Sequence, residues 1–273
     1  MADVARCPPG QRDQLPQPRR GADQLGLGLH LLRPAGAAHS PSSPVKRLIA
    51  AISLAAISAA CGGGSTPPVD AAKVLRDGAA AMAQLQTVNA TLKLTKGTVT
   101  IQGFALVSAR TSVRLPADSD TTYTVKEQDI LFSLEVVISA GHVYVHLPLS
   151  TFRELTGAEA ASFPDMARLF DPKTGLPAII PGGASPKFVS TDQVAGVSAN
   201  QISTSYTPEQ VRSLLAELNS SGPVSARVWV DTGDHLIRKA VLDGAFGDGG
   251  KEAAVQVDIS GFNATVVIAS PTP

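Results

Sequence analysis

The stretch VSARVWVDTGDHLIRKAVLDGAF, residues 224–246, shows the alternation that decides the fold class. Every second residue of its first half is apolar: Val224, Ala226, Val228 and Val230. A period of two places these side chains on one face of a strand, with the residues between them on the other. The turn residues Thr-Gly-Asp at 232–234 then lead into HLIRKAVLDGAF, a second strand. So short a connection predicts antiparallel neighbours.

The same strand character extends through most of the chain. Between residues 89 and 148 the segments TLKLT, TVTIQGFALVSARTSVRL, TTYTVKEQD, ILFSLEVVIS and HVYVHL are rich in Thr, Val, Ile and Tyr, with turns predicted at 96–97, 116–120 and 140–141. KFVSTDQVAGVSANQISTSY (187–206) is also strand-like, and GDGGK leads into EAAVQVDISGF, a last strand at 252–262. Seven or more antiparallel strands are therefore expected.

Helical signals occur in three places. DAAKVLRDGAAAMAQLQTV predicts a first helix capped by Asp70. Residues 151–182 predict short helices, since they contain Pro164, Pro172, Pro177 and Pro181. In TPEQVRSLLAEL, Thr207 as N-cap, Pro208 at the first helical position and Gln210 at the third predict an amphipathic helix of about three turns. One antiparallel sheet with helices on one face is an α+β fold.

Residues 45–60 have the features of an export signal. Lys46 and Arg47 precede a largely apolar stretch of thirteen residues, 48–60, which as a helix would span about 20 Å, less than the ~30 Å of a bilayer core. The alternative is a buried core helix. Ser-Ala-Ala-Cys, ending at Cys61, resembles the bacterial lipobox, in which the cysteine is acylated and becomes the N-terminus. Several acyl chains hold a protein stably on a membrane, and residues 61–69 would form a lipidated tether.

Residues 1–44 are rich in Pro, Gly and Arg without periodicity, so we expect a disordered extension. Since a signal belongs at the extreme N-terminus, an over-long start assignment with initiation at Val45 is one interpretation, and a genuine cytoplasmic extension is the other.

Composition limits the range of functions. The two cysteines, Cys7 and Cys61, both lie in the N-terminal quarter, so no disulfide framework organises residues 70–273, the expected folded domain. Residues 61–273 carry sixteen Lys and Arg against twenty Asp and Glu. Without a basic cluster, and with only 4% aromatic residues, nucleic acid is not an expected partner.

Catalytic and metal-binding motifs are absent from the sequence. There is no G-x-S-x-G, H-E-x-x-H, P-loop or G-x-G-x-x-G. His142 and His146 would share a strand face with Tyr144, but a polar strand face explains them better than a metal site. Turn chemistry likewise explains Asp231 and Asp234. We therefore expect no enzyme activity, no metal and no cofactor.

The order of these features resembles the mycobacterial LppX/LprA/LprF/LprG lipoprotein family. The lipobox cysteine, LFDPKTGLPAII (169–180), VAGVSANQIST (194–204) and VWVDTGDHLIRKAVL (228–242) carry the resemblance, which extends from Cys61 to the C-terminus. It implies a single strongly curved antiparallel sheet, a half-barrel, with helices packed across the concave face around an apolar cavity.

The resemblance also implies a function. Family members bind multi-acyl lipids or glycolipids and carry them from the plasma membrane toward the outer cell envelope. This chain would then be anchored on the outer face of the plasma membrane through Cys61, as a monomer, with a membrane transporter as a candidate partner.

Twelve residues are the candidate lining of such a cavity, with an ordinary core as the alternative role for each. They are Val211, Leu214, Leu215, Leu218, Val143, Val145, Val228, Val230, Leu169, Phe170, Ile179 and Ile180. The competing hypothesis is a surface lipoprotein that acts through protein contacts, as an envelope assembly factor or adhesin with a filled core. The cavity volume distinguishes the two hypotheses.

Overall fold

The computed structural model describes residues 68–215 and 218–272, which form one antiparallel sheet with a few helices. The predicted extension, signal and Cys61, and most of the tether, lie outside the described residues. The strands are β1 Thr87–Lys96, β2 Thr100–Ile101, β3 Phe104–Arg114, β4 Asp118–Glu127, β5 Ile130–Ser139, β6 His142–His146, β7 Arg153–Leu155, β8 Ala184–Val194, β9 Val197–Tyr206, β10 Val224–Asp231, β11 Ile237–Gly247 and β12 Lys251–Ser260. The helices are α1 Ala71–Met82, α2 Gly157–Ala161, α3 Leu176–Ile179 and α4 Pro208–Leu214, with 3-10 turns at Arg168–Phe170, Ile180–Gly182 and Asp248–Gly250.

The sheet consists of two meanders that meet at the first and last strands. Its order is β7-β6-β5-β4-β3-β1-β12-β11-β10-β9-β8, and the short β2 pairs with β3 outside this path. β1 pairs antiparallel with β12, with Leu92 opposite Val257 and Ala90 opposite Ile259. In the described part of the chain β7 and β8 pair on one side only, so the sheet is open. The α+β half-barrel expected from the resemblance is confirmed.

The segment between β7 and β8 must cross the sheet, because these strands are its two opposite edges. Residues 156–183 make this crossing as α2, α3 and two 3-10 turns. Phe170 and Ile180 are buried against sheet residues such as Ile202. The short helices predicted here are confirmed. We call the sheet face under this segment concave and the other face convex.

Helix α1 also lies on the concave face. The Asp70 carboxylate accepts a hydrogen bond from the Lys73 backbone N–H at 3.0 Å, as predicted for a cap. Gly78 allows a close approach to β10 and β11, because a Cβ there would lie 3.3 Å from Val230 Cγ1 and 3.4 Å from Ile237 Cγ1. The helix therefore covers one end of these two strands.

Helix α4 is shorter than predicted. The capping box forms, with Thr207 and Gln210 each bonding the other's backbone N–H, but the helix ends at Leu214 after seven residues. Leu215 is extended, with φ −142° and ψ 117°. The physical reason is burial: Leu218 packs against the sheet residues Val224 and Phe246, and the chain must leave the helix to return to β10.

The hairpin of β10 and β11 forms as predicted, with Val228 opposite Ala240. A buried ion pair closes it, since Arg238 Nη2 lies 2.7 Å from Asp231 Oδ2 and also binds Asp234. The Asp231 carboxylate additionally accepts a hydrogen bond from the Gly233 N–H at 2.7 Å. Asp231 and Asp234 therefore stabilise a turn, the role that the sequence predicted for them.

Gly97 tests the central pairing of β1 and β12. A Cβ on Gly97 would lie 2.4 Å from the Glu252 carbonyl oxygen, and its φ is +77°. The matched control Gly103 has φ +84° and open space around its Cβ position. We expect Gly103→Ala to cost about 1–2 kcal/mol of unfolding free energy, and Gly97→Ala to cost about 1–3 kcal/mol more, since β12 must shift. Urea unfolding measures both; equal losses would contradict the close approach.

Asp231 gives a pH-dependent prediction. Burial raises the pKa of Asp231, but the hydrogen bonds from Gly233 and Arg238 outweigh it and hold the pKa below its ordinary value of 3.8. The carboxylate therefore stabilises the fold above that pH, and the stabilisation is lost as the pH falls through the lower folded pKa. We expect Asp231→Asn to cost about 1–3 kcal/mol at neutral pH and progressively less in acid.

The measurement is urea unfolding of the wild-type chain and the variant at neutral and at acid pH. Asp129→Asn is the control, because the Lys126–Asp129 ion pair is exposed and should contribute little. A deficit of the Asp231 variant that stays the same at both pH values would contradict the assignment.

Candidate functional site

The concave face encloses three apolar cavities between the sheet and the segments that cover it. We call these segments the cover; it comprises residues 156–183, α4, Leu215 and Leu218. Cavity A has a volume of about 60 Å³, cavity B about 30 Å³ and cavity C about 80 Å³. Cavities A and B share Leu215, Leu218 and Met166 as walls, and cavities A and C share Leu176 and Leu214. The cavities are thus neighbours that have side chains in common as walls.

The floor of the cavities comes from the middle of the sheet. Ala90 and Leu92 of β1, Leu242 of β11 and Val255 and Val257 of β12 line cavity A. These residues meet because β1 pairs with β12, which brings together the two ends of the folded chain. Alternation along each strand then presents small and branched aliphatic residues to the cover.

Polar groups in the linings of cavities A and C already have partners. Thr111 in cavity A shares a hydrogen bond of 2.8 Å with Thr121. Tyr206 in cavity C donates its hydroxyl to the Ile180 carbonyl oxygen at 3.1 Å, and burial raises its pKa. A hydrocarbon therefore meets apolar walls in these cavities. A polar group that entered them would lose its hydrogen bonds to water and gain none in their place.

An open cleft lies beside the apolar cavities. Its volume is about 420 Å³, and it is lined by Ile138, Val143 and Phe163 together with the polar residues Asp165 and Arg168. Leu214 and Leu215 line the cleft and also line cavity A. These two side chains, which we call the leucine partition, separate a polar-rimmed opening from the apolar interior.

The leucine partition is anchored at one end. Gln210 Nε2 donates to the Gly182 carbonyl oxygen at 3.2 Å, and the Thr207 N–H donates to Gln210 Oε1 at 2.8 Å. The start of α4 is thereby fixed to the 3-10 turn before β8. The last helical hydrogen bond runs from the Leu215 N–H to the Val211 carbonyl oxygen at 3.2 Å, and Leu215 itself is already extended. The partition therefore lies at the C-terminal end of a short helix, away from this anchor.

The structure brings most of the sequence-predicted lining residues together. Those that line cavities A, B or C are Val211, Leu214, Leu215, Leu218, Val228, Leu169, Phe170, Ile179 and Ile180. Val143 lines the cleft instead. Val145 packs in a core cluster with Leu155, and Val230 packs under α1. The latter two are covered by other elements and do not reach a cavity described here.

Several lining residues were not among the sequence candidates. They are Ala90, Leu92, Ala109, Met166, Leu176, Leu242, Val255 and Val257. Val255 and Val257 belong to an alternating strand whose apolar face the sequence already showed. The missing information was that β12 and β1 form the centre of the sheet, which strand periodicity does not reveal.

The convex face carries the histidines considered as metal ligands. His142 Nδ1 lies 2.7 Å from Glu154 Oε1, and the His146 ring stacks on Phe152 with centroids 5.0 Å apart. Within residues 68–215 and 218–272, no group of three or more His, Cys, Asp or Glu side chains is arranged to hold a metal. In the same part of the chain no helix is long and apolar enough to span a bilayer.

One open antiparallel sheet whose concave face encloses aliphatic cavities under a helical cover defines the class of this protein. Within that class, the chain belongs to the LppX/LprA/LprF/LprG lipoprotein family, whose model matches residues 70–268. The resemblance in the sequence is thus confirmed.

Individual relatives agree with this assignment. The lipoarabinomannan carrier protein LprG of Mycobacterium tuberculosis is 27% identical over 236 residues, which is 82% of this chain and 94% of LprG. The crystal structure of LprF from Mycobacterium bovis superposes with a TM-score of 0.62 at 17% identity, covering 76% of this chain and 99% of LprF. For LppX of Mycobacterium tuberculosis the TM-score is 0.54 at 19% identity, covering 72% and 97%. These two structures support the fold.

A substitution at Leu214 tests whether the leucine partition separates the cleft from the apolar cavities. Leu214→Ala removes a wall shared by cavities A and C and the cleft. Because the side chain is half-buried, we expect a loss of about 1–3 kcal/mol, below the cost at a fully buried leucine, together with tighter binding of an apolar fluorescent dye. Dye titration and urea unfolding measure the two effects. The control is Ser213→Ala, an exposed neighbour; unchanged dye affinity in the leucine variant would contradict a partition.

Proposed function

We propose that this protein is a membrane-anchored carrier of lipids with several acyl chains. The observation that carries the proposal is the set of adjoining cavities under the cover, whose walls are aliphatic and whose polar side chains in cavities A and C are already hydrogen-bonded. Such walls replace the bilayer interior for an acyl chain, because each methylene kept out of water contributes about 0.8 kcal/mol of favourable free energy. No bond-making step is needed.

The headgroup of such a lipid would remain in the cleft. Asp165 and Arg168 line this cleft, and the Asp165 carboxylate accepts a hydrogen bond from the Ala167 backbone N–H at 3.0 Å. Asp165 is therefore held by the backbone, whereas the Arg168 side chain is exposed and would attract an anionic or hydroxylated headgroup. Acyl chains would pass the leucine partition, and the polar part would stay in contact with water.

Loading would require the cover to move. Pockets that bury small ligands have volumes of roughly 300–1,000 Å³, whereas cavities A, B and C have volumes of about 60, 30 and 80 Å³. Displacement of Leu214, Leu215 and Met166 would join them into one space. Helix α4 is anchored at its start by the capping box at Thr207 and ends after seven residues. These features support the C-terminal end of α4, with Leu214 and Leu215, as the moving part.

The N-terminal segments complete the proposal. Residues 45–60 would be removed as an export signal, Cys61 would be acylated, and residues 61–69 would connect the anchor to the half-barrel domain of residues 70–273. Membership in a lipoprotein family supports this arrangement. The protein would then lie on the outer face of the plasma membrane.

The cargo we propose is a multi-acyl lipid or glycolipid, moved from the plasma membrane toward the outer envelope. Similarity to LprG, which is a lipoarabinomannan carrier protein, supports this class of cargo. We propose as the cavity lining the candidate residues that reach cavities A, B and C, together with Val257 and Leu242 of the central strands.

The small cavity volumes favour a second candidate function. A protein that acts through surface contacts has a filled interior and needs no opening of its cover. Cavities A, B and C, of about 60, 30 and 80 Å³, are each far smaller than the roughly 300–1,000 Å³ of a ligand pocket, so this closed form is compatible with that role. The two functions differ in whether lipid is bound.

Lipid binding is tested with chain 62–273, which lacks the acylated cysteine, purified from a mycobacterial host. We expect about one lipid per protein after organic extraction and mass spectrometry. Val257→Phe fills space between cavities A and C and should reduce the bound lipid strongly. Thr122→Phe places the same ring at an exposed position and should leave it unchanged.

Circular dichroism of both variants controls for folding, and Ala109→Leu at the wall shared by cavities A and B is a milder filling substitution if Val257→Phe is unstable. Repeated absence of lipid from the wild-type chain would reject the carrier function and favour the protein-contact function.

A further inference from the structure

Asp70, which follows the predicted tether in the sequence, lies toward one edge of the sheet. Helix α1 crosses β11, β10, β9 and β8 on the concave face. Its C-terminal half lies at β10 and β11, where Gly78 approaches Val230 and Ile237, and the chain continues from there to β1 near the centre of the sheet. The N-terminus of α1 must therefore lie toward β8. Residue 70, where the tether ends, is at the β8 edge.

Apolar side chains are exposed at the same edge. Phe188 and Val189 of β8 are 39% and 52% exposed, and Val69, just before α1, is 37% exposed. Exposed apolar groups gathered at one place on a surface indicate an interaction site more strongly than scattered ones. We call these three residues the β8 patch.

The form of β8 disfavours another protein strand as the occupant of this edge. Pro186 lacks a backbone N–H, Ser185 has a positive φ of 49°, and the pairing with β9 shifts register between Ala184 and Lys187 and again between Phe188 and Ser190. Irregular pairing and proline are the features by which edge strands avoid strand addition. An occupant that forms no directional hydrogen bonds with the backbone of β8 does not require this strand to be regular.

From these observations we propose that the β8 patch docks on the lipid bilayer. The inference rests on the proposed acylation of Cys61. Eight residues, 62–69, lie between Cys61 and Asp70, and this segment spans at most about 30 Å when fully extended. An anchored chain therefore keeps the β8 edge within that distance of the membrane, where the patch inserts as an apolar contact too small to bind without the anchor.

The test uses spin labels on the mature lipoprotein in vesicles of phosphatidylcholine and phosphatidylglycerol. In residues 61–273 the only cysteine is Cys61, so after acylation an introduced cysteine is the single free thiol. Val189→Cys reports on the patch. Ile130→Cys is the matched control, since Ile130 is an exposed aliphatic residue, 69% accessible, at the β4–β5 turn.

We expect the label at residue 189 to lie about 5–10 Å into the interface, shielded from an aqueous nickel complex and accessible to oxygen, while the label at residue 130 stays in water. Equal accessibility of both labels to nickel on vesicle-bound protein would overturn the proposal. Spin–spin broadening at residue 189 would show a second copy at this edge and would also overturn it.

Failure of the proposed function gives different results. The mass of the N-terminal peptide shows whether Cys61 is acylated, and an unmodified cysteine rejects the anchor and the docking together. Absence of extracted lipid from chain 62–273 rejects the carrier function while the depth of the label at residue 189 still decides the docking.

Discussion

Pairing of the first strand with the last is the constraint on which the rest of the structure depends. β1 and β12 join two meanders that would otherwise be separate sheets, and this pairing sends β7 and β8 to opposite edges. The chain between those edges must then cross the concave face. The cover, the cavities beneath it and the position of α1 all follow from that single register. Gly97 marks how closely the two strands approach, since no side chain fits between its Cα and the Glu252 carbonyl oxygen.

The interior separates apolar from polar chemistry by position. Thr111 and Tyr206 use their hydroxyls within the protein, so cavities A and C offer only hydrocarbon contacts. Asp165 and Arg168 lie in the cleft on the other side of Leu214 and Leu215. This division suits a molecule with long apolar chains and one polar end. In the described lining of cavities A, B and C, the titratable side chains are the buried tyrosines Tyr123 and Tyr206.

Much of the fold could be predicted from local sequence signals. The cap at Asp70, the capping box at Thr207, the hairpin of β10 and β11 and the proline-limited helices of the crossover all formed as expected. Each depends on residues within a few positions of one another. The length of α4 did not follow, because burial of Leu218 against Val224 and Phe246 overrode the helical spacing. The lining residues of β1 and β12 were missed for a related reason: their partners are distant in sequence.

The sequence by itself determined the fold class, the family and the side chains that point toward the concave face, because alternation, caps and turns are local. Only the tertiary structure decided which of those side chains enclose space. Val228 lines cavity C, whereas Val230, two residues later on the same strand face, is covered by α1 at Gly78. Periodicity assigns a face to a residue, but the element that lies over that face is set by long-range strand pairing. The leucine partition and the β8 patch are likewise products of that pairing.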